Sequence, residues 1–216
     1  SKLWSLTRVA EANGAEIAIW PEAAFPYALP HAEGTDDGPF RIRGPGIHIE
    51  VLTGLLTEAP KGNDSGEWRY NAAAIVHRDG HIAQPAAKLE LLAFGESIPF
   101  GDRIPALKRA FARGGGLRPG DTVVILSSGL THPTMRAGIL NCYEDTLPQV
   151  ARRVAQASPN LLVNVTNDAW FGTTAEPELH LLAATARAIE TRRDMIRAVN
   201  TGVTAHVDAF GRVVAR

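Results

Sequence analysis

The chain has 216 residues, with 22 Lys and Arg against 23 Asp and Glu, a formal net charge of −1, and 45% apolar residues. That is enough material for one α/β domain with a sizeable core. The apolar content excludes general disorder, and the even charge balance argues against a dedicated nucleic-acid binder. A single cysteine excludes an internal disulfide and a zinc cluster built on several thiolates.

No run approaches the roughly 18 apolar residues that a bilayer span needs. The opening Ser1–Arg8 has no apolar signal-peptide region. The chain opens inside a helical pattern and stops just after a strand-like Arg212–Ala215, so a piece of something longer is expected.

Leu3, Leu6, Val9 and Ala10 recur at helical spacing, with Gly14 as the stop. Glu16–Trp20 reads as a short buried strand ended by Pro21, and 21–46 is too dense in proline and glycine for a regular element. Strands are expected at Ile47–Leu56 and Tyr70–His77, the second turning through Arg78-Asp79-Gly80 into a strand from His81. Leu91–Phe100 is apolar but broken by Gly95 and Pro99, which predicts a structured loop. A short helix at Ile104–Arg113, a flexible break at Gly114–Gly116, and strands at Thr122–Leu126 and Met135–Asn141 follow. Then come a helix at Leu147–Ala157, a strand at Leu161–Val165 and a helix at Glu176–Arg193. That helix has Pro177 in its first turn and Leu181, Leu182, Thr185, Ala188 and Ile189 assigned to one face. Strands at Met195–Val199 and Val203–Asp208 close the pattern. Helices alternating with pairs of strands predict a layered α/β fold with a mixed sheet.

Several polar residues directly follow buried strands: Glu22, Lys88, Cys142 and the group Asn164, Asn167 and Asp168. Sites in α/β sheets gather beyond the carboxyl ends of strands, so these residues are candidates to converge. A carboxylate, an ammonium and a thiol can together deprotonate a nucleophile, stabilise an oxyanion and carry a covalent intermediate. Each residue also has an ordinary explanation: a buried cysteine, a helix-capping glutamate, a surface lysine. Spacing alone leaves both readings open.

The words around these residues go further. Trp20-Pro21-Glu22-Ala23-Ala24-Phe25-Pro26, the stretch Lys88–Phe100 and Asn141-Cys142-Tyr143-Glu144-Asp145-Thr146-Leu147-Pro148 resemble, in order, the glutamate, lysine and cysteine motifs of the nitrilase (carbon–nitrogen hydrolase) superfamily. Phe94-Gly95-Glu96, Ile98-Pro99-Phe100, Asn167–Gly172 and Arg197–Thr204 are similar to its bacterial apolipoprotein N-acyltransferase branch. The sequence departs from that branch at Ala93-Phe94-Gly95-Glu96-Ser97 and at Glu176-Pro177-Glu178-Leu179-His180, in lid details rather than in the trio. The resemblance implies a nitrilase-like α-β-β-α sandwich over 1–216, lacking the family's first strand, its last elements and its membrane domain.

It further implies Cys142 as nucleophile, Glu22 as general base and Lys88 as oxyanion stabiliser. Tyr143 would supply a backbone N–H as second oxyanion donor, and Glu96 and Glu144 would hold Lys88 and the base in place. Crowded carboxylates near one lysine would raise the base toward neutrality. The reaction would be ping-pong acyl transfer from a phospholipid donor to the N-terminal amine of a diacylglyceryl lipoprotein acceptor. It would need no metal or cofactor and would be carried out by a monomer at the periplasmic face of the bacterial inner membrane. Phe94, Ile98 and Trp170 are candidates for lipid contact, within a lid of Leu91, Leu92, Phe100, Phe25 and Tyr27. The alternatives are a soluble amidase using the same trio, or an inert fragment.

Other sites are weaker. His77 and His81 have the spacing of helical zinc ligands, but a hairpin turn lies between them. The glycines at 114–116 match no phosphate-binding fingerprint, and Ser127 and Ser128 lie in no Gly-x-Ser-x-Gly.

Overall fold

The computed structural model describes residues 2–60, 67–101, 103–110, 116–130 and 134–216. In chain order these form α1 (Lys2–Ala12), β1 (Ile17–Ile19), β2 (Leu29–Pro30), β3 (Gly34–Thr35), β4 (Glu50–Pro60), β5 (Glu67–Val76), β6 (His81–Ile82) and β7 (Ala86–Ala87). Then follow α2 (Pro105–Ala110), β8 (Ile125–Ser127), β9 (Arg136–Asn141), α3 (Pro148–Gln156), β10 (Leu161–Asn167), α4 (Glu176–Thr191), β11 (Asp194–Asn200), β12 (Ala205–Val207) and β13 (Val213–Ala215). Short 3₁₀ turns at Cys142–Thr146 and Asp168–Phe171 follow β9 and β10 directly.

Two mixed sheets stack face to face. The first runs β1-β4-β5-β6-β3, with β2 on β4 and β7 on β5; the second runs β13-β12-β11-β10-β9-β8. Between them Leu52, Ala73, Ile75 and Ala86 meet Leu126, Ala137, Ile139, Val163 and Val165. Strand residues alternate faces, so Val51, Leu55, Ala74 and Val76 turn to the other side, where Trp20, Leu3 and Trp4 cover them. On the far side Val150, Val154, Leu181, Ala184 and Ala188 cover Leu140, Leu162, Met195 and Val207. The layers are therefore α-β-β-α, as expected.

The boundaries moved in physically informative ways. The β4–β5 ladder extends unbroken from Val51↔Val76 to Pro60↔Glu67, well beyond the apolar run, because backbone pairing continues where the side chains have turned polar. The strand expected from His81 is two short ones, so Lys88 follows β7 rather than the hairpin strand. The loop at 21–46 contains β2 and β3. On α4 the inward stripe is His180, Leu181, Ala184, Arg187, Ala188 and Thr191, whereas Leu182 is 66% exposed and Ile189 42%. Each sits one position, about 100° around the helix, beyond an inward residue. The helix ends at Thr191 because Arg192 adopts the left-handed conformation (φ 56°). Most of the break expected at Gly114–Gly116, and Phe111–Arg113 of the short helix, lie outside the described residues.

β9, β10 and β11 are parallel neighbours, so their carboxyl ends open at one edge of the sandwich. β1 runs parallel to β4 in the facing sheet and delivers Glu22 just beyond its own carboxyl end.

Candidate active site

Glu22 reaches its place because the backbone of residues 21–24 lies against Gly54 of β4. The Gly54 N–H donates to the Pro21 carbonyl (3.2 Å), and the Ala24 N–H donates to the Gly54 carbonyl (3.0 Å). A Cβ at residue 54 would stand 2.5 Å from the Glu22 Cα, so only glycine admits this approach. Ala23 completes the turn at φ 50°.

Lys88 is fixed on both sides by backbone hydrogen bonds: its N–H to the Asn71 carbonyl (2.8 Å), its carbonyl from the Gly120 N–H (2.7 Å). Its side chain is 2% exposed, with Nζ 2.7 Å from Glu96 Oε2, 2.9 Å from Glu96 Oε1 and 3.9 Å from Glu22 Oε1. Asn71 joins the two carboxylates, its Nδ2 donating to Glu22 Oε1 (2.6 Å) and to Glu96 Oε1 (3.0 Å). Glu96 also accepts the Leu92 N–H (2.9 Å), so the loop after Lys88 is tied to the lysine itself.

Cys142 heads the first 3₁₀ turn at φ 51°, a strained position for a residue with a side chain. Asn164 braces the elbow from the middle of β10, its Nδ2 donating to the carbonyls of Leu140 and Cys142 (2.9 Å each). The thiol is half-buried, and Glu22, Lys88, Thr166 and the Tyr143 N–H all act on its ionisation. The Tyr143 ring lies under the Lys88 ammonium at 5.1 Å.

Glu144 sits differently from expectation. It does not bond Lys88. Its carboxylate accepts the backbone N–H groups of Leu89 (2.7 Å), Glu90 (2.9 Å) and Asn141 (2.7 Å), clamping the lysine segment to the cysteine elbow.

The electrostatics follow from burial. Desolvation raises the Glu22 carboxyl above its ordinary value against the pull of Lys88 and Asn71, with Glu96 only a later contributor. Burial, more than the crowding of carboxylates, thus makes Glu22 a better base. Desolvation and the Glu22 charge push the Cys142 thiol up to about 11, against Lys88. Burial works against the Lys88 charge, but Glu96, Cys142 and Glu22 outweigh it and hold the lysine above its usual value. Burial lifts Glu144 to about 7 despite its backbone donors.

The structure therefore gathers Glu22, Lys88, Cys142, Glu96, Tyr143 and Glu144 at one edge. Phe94 (φ 65°) and Phe100 (φ 57°) stand exposed on the loop tied down by Glu96, with Ile98 partly buried between them. Trp170 is 86% exposed on the second 3₁₀ turn, a surface position. His77 and His81 are stacked hairpin neighbours, and no cluster of metal-ligating side chains occurs among the described residues. Asn71 and Thr166 escaped the sequence reading. A lone amide where exposed Glu67–Arg69 gives way to the buried run Ala72–Val76 was the available signal for Asn71.

A family model described as Carbon-nitrogen hydrolase matches residues 2–216. An apolipoprotein N-acyltransferase of Bdellovibrio bacteriovorus is 36% identical over 205 residues, covering 93% of this chain and 38% of the relative. One of Brucella melitensis biotype 1 is 36% identical over 227 residues, covering 98% and 40%. The chain thus spans about two-fifths of the length of these curated relatives. Among solved structures, the carbon–nitrogen hydrolase of Helicobacter pylori G27 superposes with a TM-score of 0.66 at 16% identity, covering 98% of this chain and 77% of that one. A mutant amidase of Nesterenkonia sp. AN1, with acrylamide added at its active-site cysteine, gives 0.62 at 19% identity, covering 97% and 78%.

Proposed function

The chain belongs to the carbon–nitrogen hydrolase family, and from that premise we propose that it carries out N-acyl transfer through a thioester on Cys142. The observation that carries this reading is the single constellation of a half-buried thiol whose ionisation Glu22 and Lys88 both control, with the Lys88 ammonium 3.9 Å from the Glu22 carboxylate. As Sγ attacks the ester carbonyl of a phospholipid, the thiol proton passes to Glu22. Lys88 and the Tyr143 N–H stabilise the negative charge that grows on the carbonyl oxygen. Collapse breaks the ester C–O bond, and the departing lysophospholipid oxygen takes the proton back from Glu22. The α-amine of a diacylglyceryl-cysteine then attacks the thioester, loses its proton to Glu22, and releases Cys142.

A thiol with a pKa of about 11 is almost wholly protonated near neutrality, so this chemistry requires the adjacent base. A groove of about 240 Å³ beside the elbow, lined by Tyr143, Thr146, Phe171, Leu179 and Ala183 with Glu176 and the edge of His180, offers room for part of an acyl chain. The exposed Phe94, Phe100 and Trp170 suit contact with lipid. No helix among the described residues is long and apolar enough to cross a membrane; residence at the periplasmic face of the inner membrane is part of the same proposal. The acyltransferase reading stands ahead of a small-amide hydrolase because relatives of that name share 36% of their aligned residues with the chain, whereas the amidase likeness is one of fold.

The test is intact mass. Incubation with phospholipid should add one acyl mass to the peptide containing Cys142, removable by neutral hydroxylamine. Turnover without such an adduct overturns the covalent scheme, and hydrolysis of short amides without phospholipid acylation favours the amidase.

A further inference from the structure

Behind the cysteine elbow lies a charged cluster that the chemistry above does not use. His180, on the first half of α4, is 6% exposed, and Asp145, Asp168 and Arg197 are fully buried. The imidazole Nε2 lies 2.8 Å from Asp145 Oδ1, and its Nδ1 lies 3.0 Å from Asp168 Oδ1. Arg197, from β11, pairs with Asp145 Oδ2 and has Nη2 3.9 Å from Asp168 Oδ2. The edge of the Phe171 ring closes the pocket, 6.4 Å between centroids.

We propose that His180 is a positioning residue for the nucleophile: a buried imidazolium that ties the Cys142 turn, through Asp145, to the end of β10, through Asp168 and Thr166. This rests on the reading of Cys142 as nucleophile. Hydrogen-bond donors decide the state of the ring. Ionised carboxylates only accept, and a neutral imidazole carries one N–H and one bare lone pair. With a carboxylate oxygen at hydrogen-bond distance from each ring nitrogen, the neutral ring would aim a lone pair at one of them, whichever tautomer it took. Only the doubly protonated ring satisfies both.

Charge points the same way. Asp145 and Asp168 against Arg197, all three fully buried, leave one uncompensated negative charge, and the imidazolium cancels it. The pKa agrees in direction: burial works to lower it, but the hydrogen bond and charge of Asp145, joined by Asp168 and opposed by Arg197, hold His180 above its ordinary value.

The link to the thiol is short. Asp145 lies three residues after Cys142 on the same 3₁₀ turn, and Asp168 Oδ1 accepts from Thr166 Oγ1 (3.4 Å), a side chain that also lowers the pKa of the Cys142 thiol. A chain of hydrogen bonds therefore runs from Thr166 at the end of β10 through Asp168 and His180 to Asp145 on the Cys142 turn. Gly202 packs against its outer wall, where a Cβ would stand 2.4 Å from Asp168 Oδ2.

Two measurements on the full chain test this. Side-chain ¹⁵N NMR of the unmodified protein should show both His180 ring nitrogens protonated at pH 7.5; a bare nitrogen there overturns the proposal, whatever the variants do. Iodoacetamide alkylation of Cys142 then reads the position of the thiol without any lipid substrate. His180→Gln keeps a donor but loses the charge, and its alkylation rate should fall about 10–100-fold, with an altered pH profile. His180→Lys restores charge and donors and should recover part of that loss. Alkylation in folded His180→Gln at the unmodified rate and pH profile also overturns it, as does equal loss in both variants without change in profile. Failure of the underlying catalytic reading shows separately, as a missing acyl adduct on Cys142 with the ¹⁵N result intact.

Discussion

Replacing Glu22 by Gln separates a general base from an oxyanion donor by pH alone. A thiol with a pKa of about 11 is ionised to only about one part in 10⁴ at pH 7. Without Glu22 the enzyme depends on that fraction, so a loss of about 10²–10⁴ at pH 7 is expected. The Gln carbonyl can still accept the Asn71 bond that Glu22 accepts at 2.6 Å, which keeps the fold. The Glu22 charge is itself a cause of the high thiol pKa, so its removal lowers that pKa. The deficit should then shrink about tenfold for each pH unit between 7 and 9. Lys88→Met behaves oppositely. The lysine lowers the thiol pKa, so its loss pushes ionisation further out of reach, and the missing oxyanion donor costs about 10²–10³ at every pH. Rate–pH profiles of acyl transfer for both variants, with iodoacetamide alkylation as a substrate-free measure of thiolate and thermal melts as a folding control, decide the matter. A pH-independent deficit in Glu22→Gln, or equal rescue in both, refutes the assignment.

Three further outcomes are expected. Burial lifts the Glu144 carboxyl from its ordinary value of 4.5 to about 7, so its protonated form contributes stability below about 4.5 that is lost as pH rises through 7. Urea titrations should find about 3 kcal/mol less stability from this group at pH 8 than at pH 4, a difference absent in Glu144→Gln. Gly54→Ala must push the Glu22 backbone away from its 2.5 Å approach, costing about 1–3 kcal/mol in a urea titration and lowering the acyl-transfer rate more than the alkylation rate. Phe94→Ala and Ile98→Ala should weaken transfer from vesicle phospholipid but not from a short soluble ester; parallel losses with a large fall in melting temperature would show that these side chains serve the core.

The sequence exposed what local rules govern. Strand and helix positions followed from apolar periodicity, and the turn at Arg78-Asp79-Gly80 from its composition. The trio was visible as polar residues ending buried strands, though only the motif words separated them from ordinary caps and surface charges. What stayed hidden was set by tertiary approach. Asn71 reads as one polar residue in a strand, and its purpose appears only when Glu22 and Glu96 arrive from 49 and 25 residues away. The inward face of α4 was misassigned at Leu182 and Ile189 because His180 and Arg187 hold positions that periodicity gives to apolar residues. Each is buried by partners far along the chain: Asp145, 35 residues before His180, and the Thr146 carbonyl, 41 before Arg187.

That misassignment and the strain at Cys142 have one cause. A cysteine at φ 51° stores about 1–3 kcal/mol that the backbone would release by relaxing. Holding it there requires bonds that relaxation would break. Asn164 supplies two to the elbow carbonyls, and Glu144 supplies one to the Asn141 N–H. At about 1 kcal/mol for a neutral bond and 1.5–3 for one to a charged group, these three suffice to hold the strained turn. They fix the backbone but leave the sulfur free to rotate about the Cα–Cβ bond. The sulfur itself is governed by its electrostatic surroundings, in which Glu22 raises its pKa and Lys88, Thr166 and the Tyr143 N–H lower it. Of these, Thr166 depends on Asp168, and Asp168 has to be paired before it can be buried. His180 on the inward face of α4 thus follows from burying two carboxylates beside the strained Cys142 turn, and an apolar residue there would leave Asp145 and Asp168 with Arg197 alone.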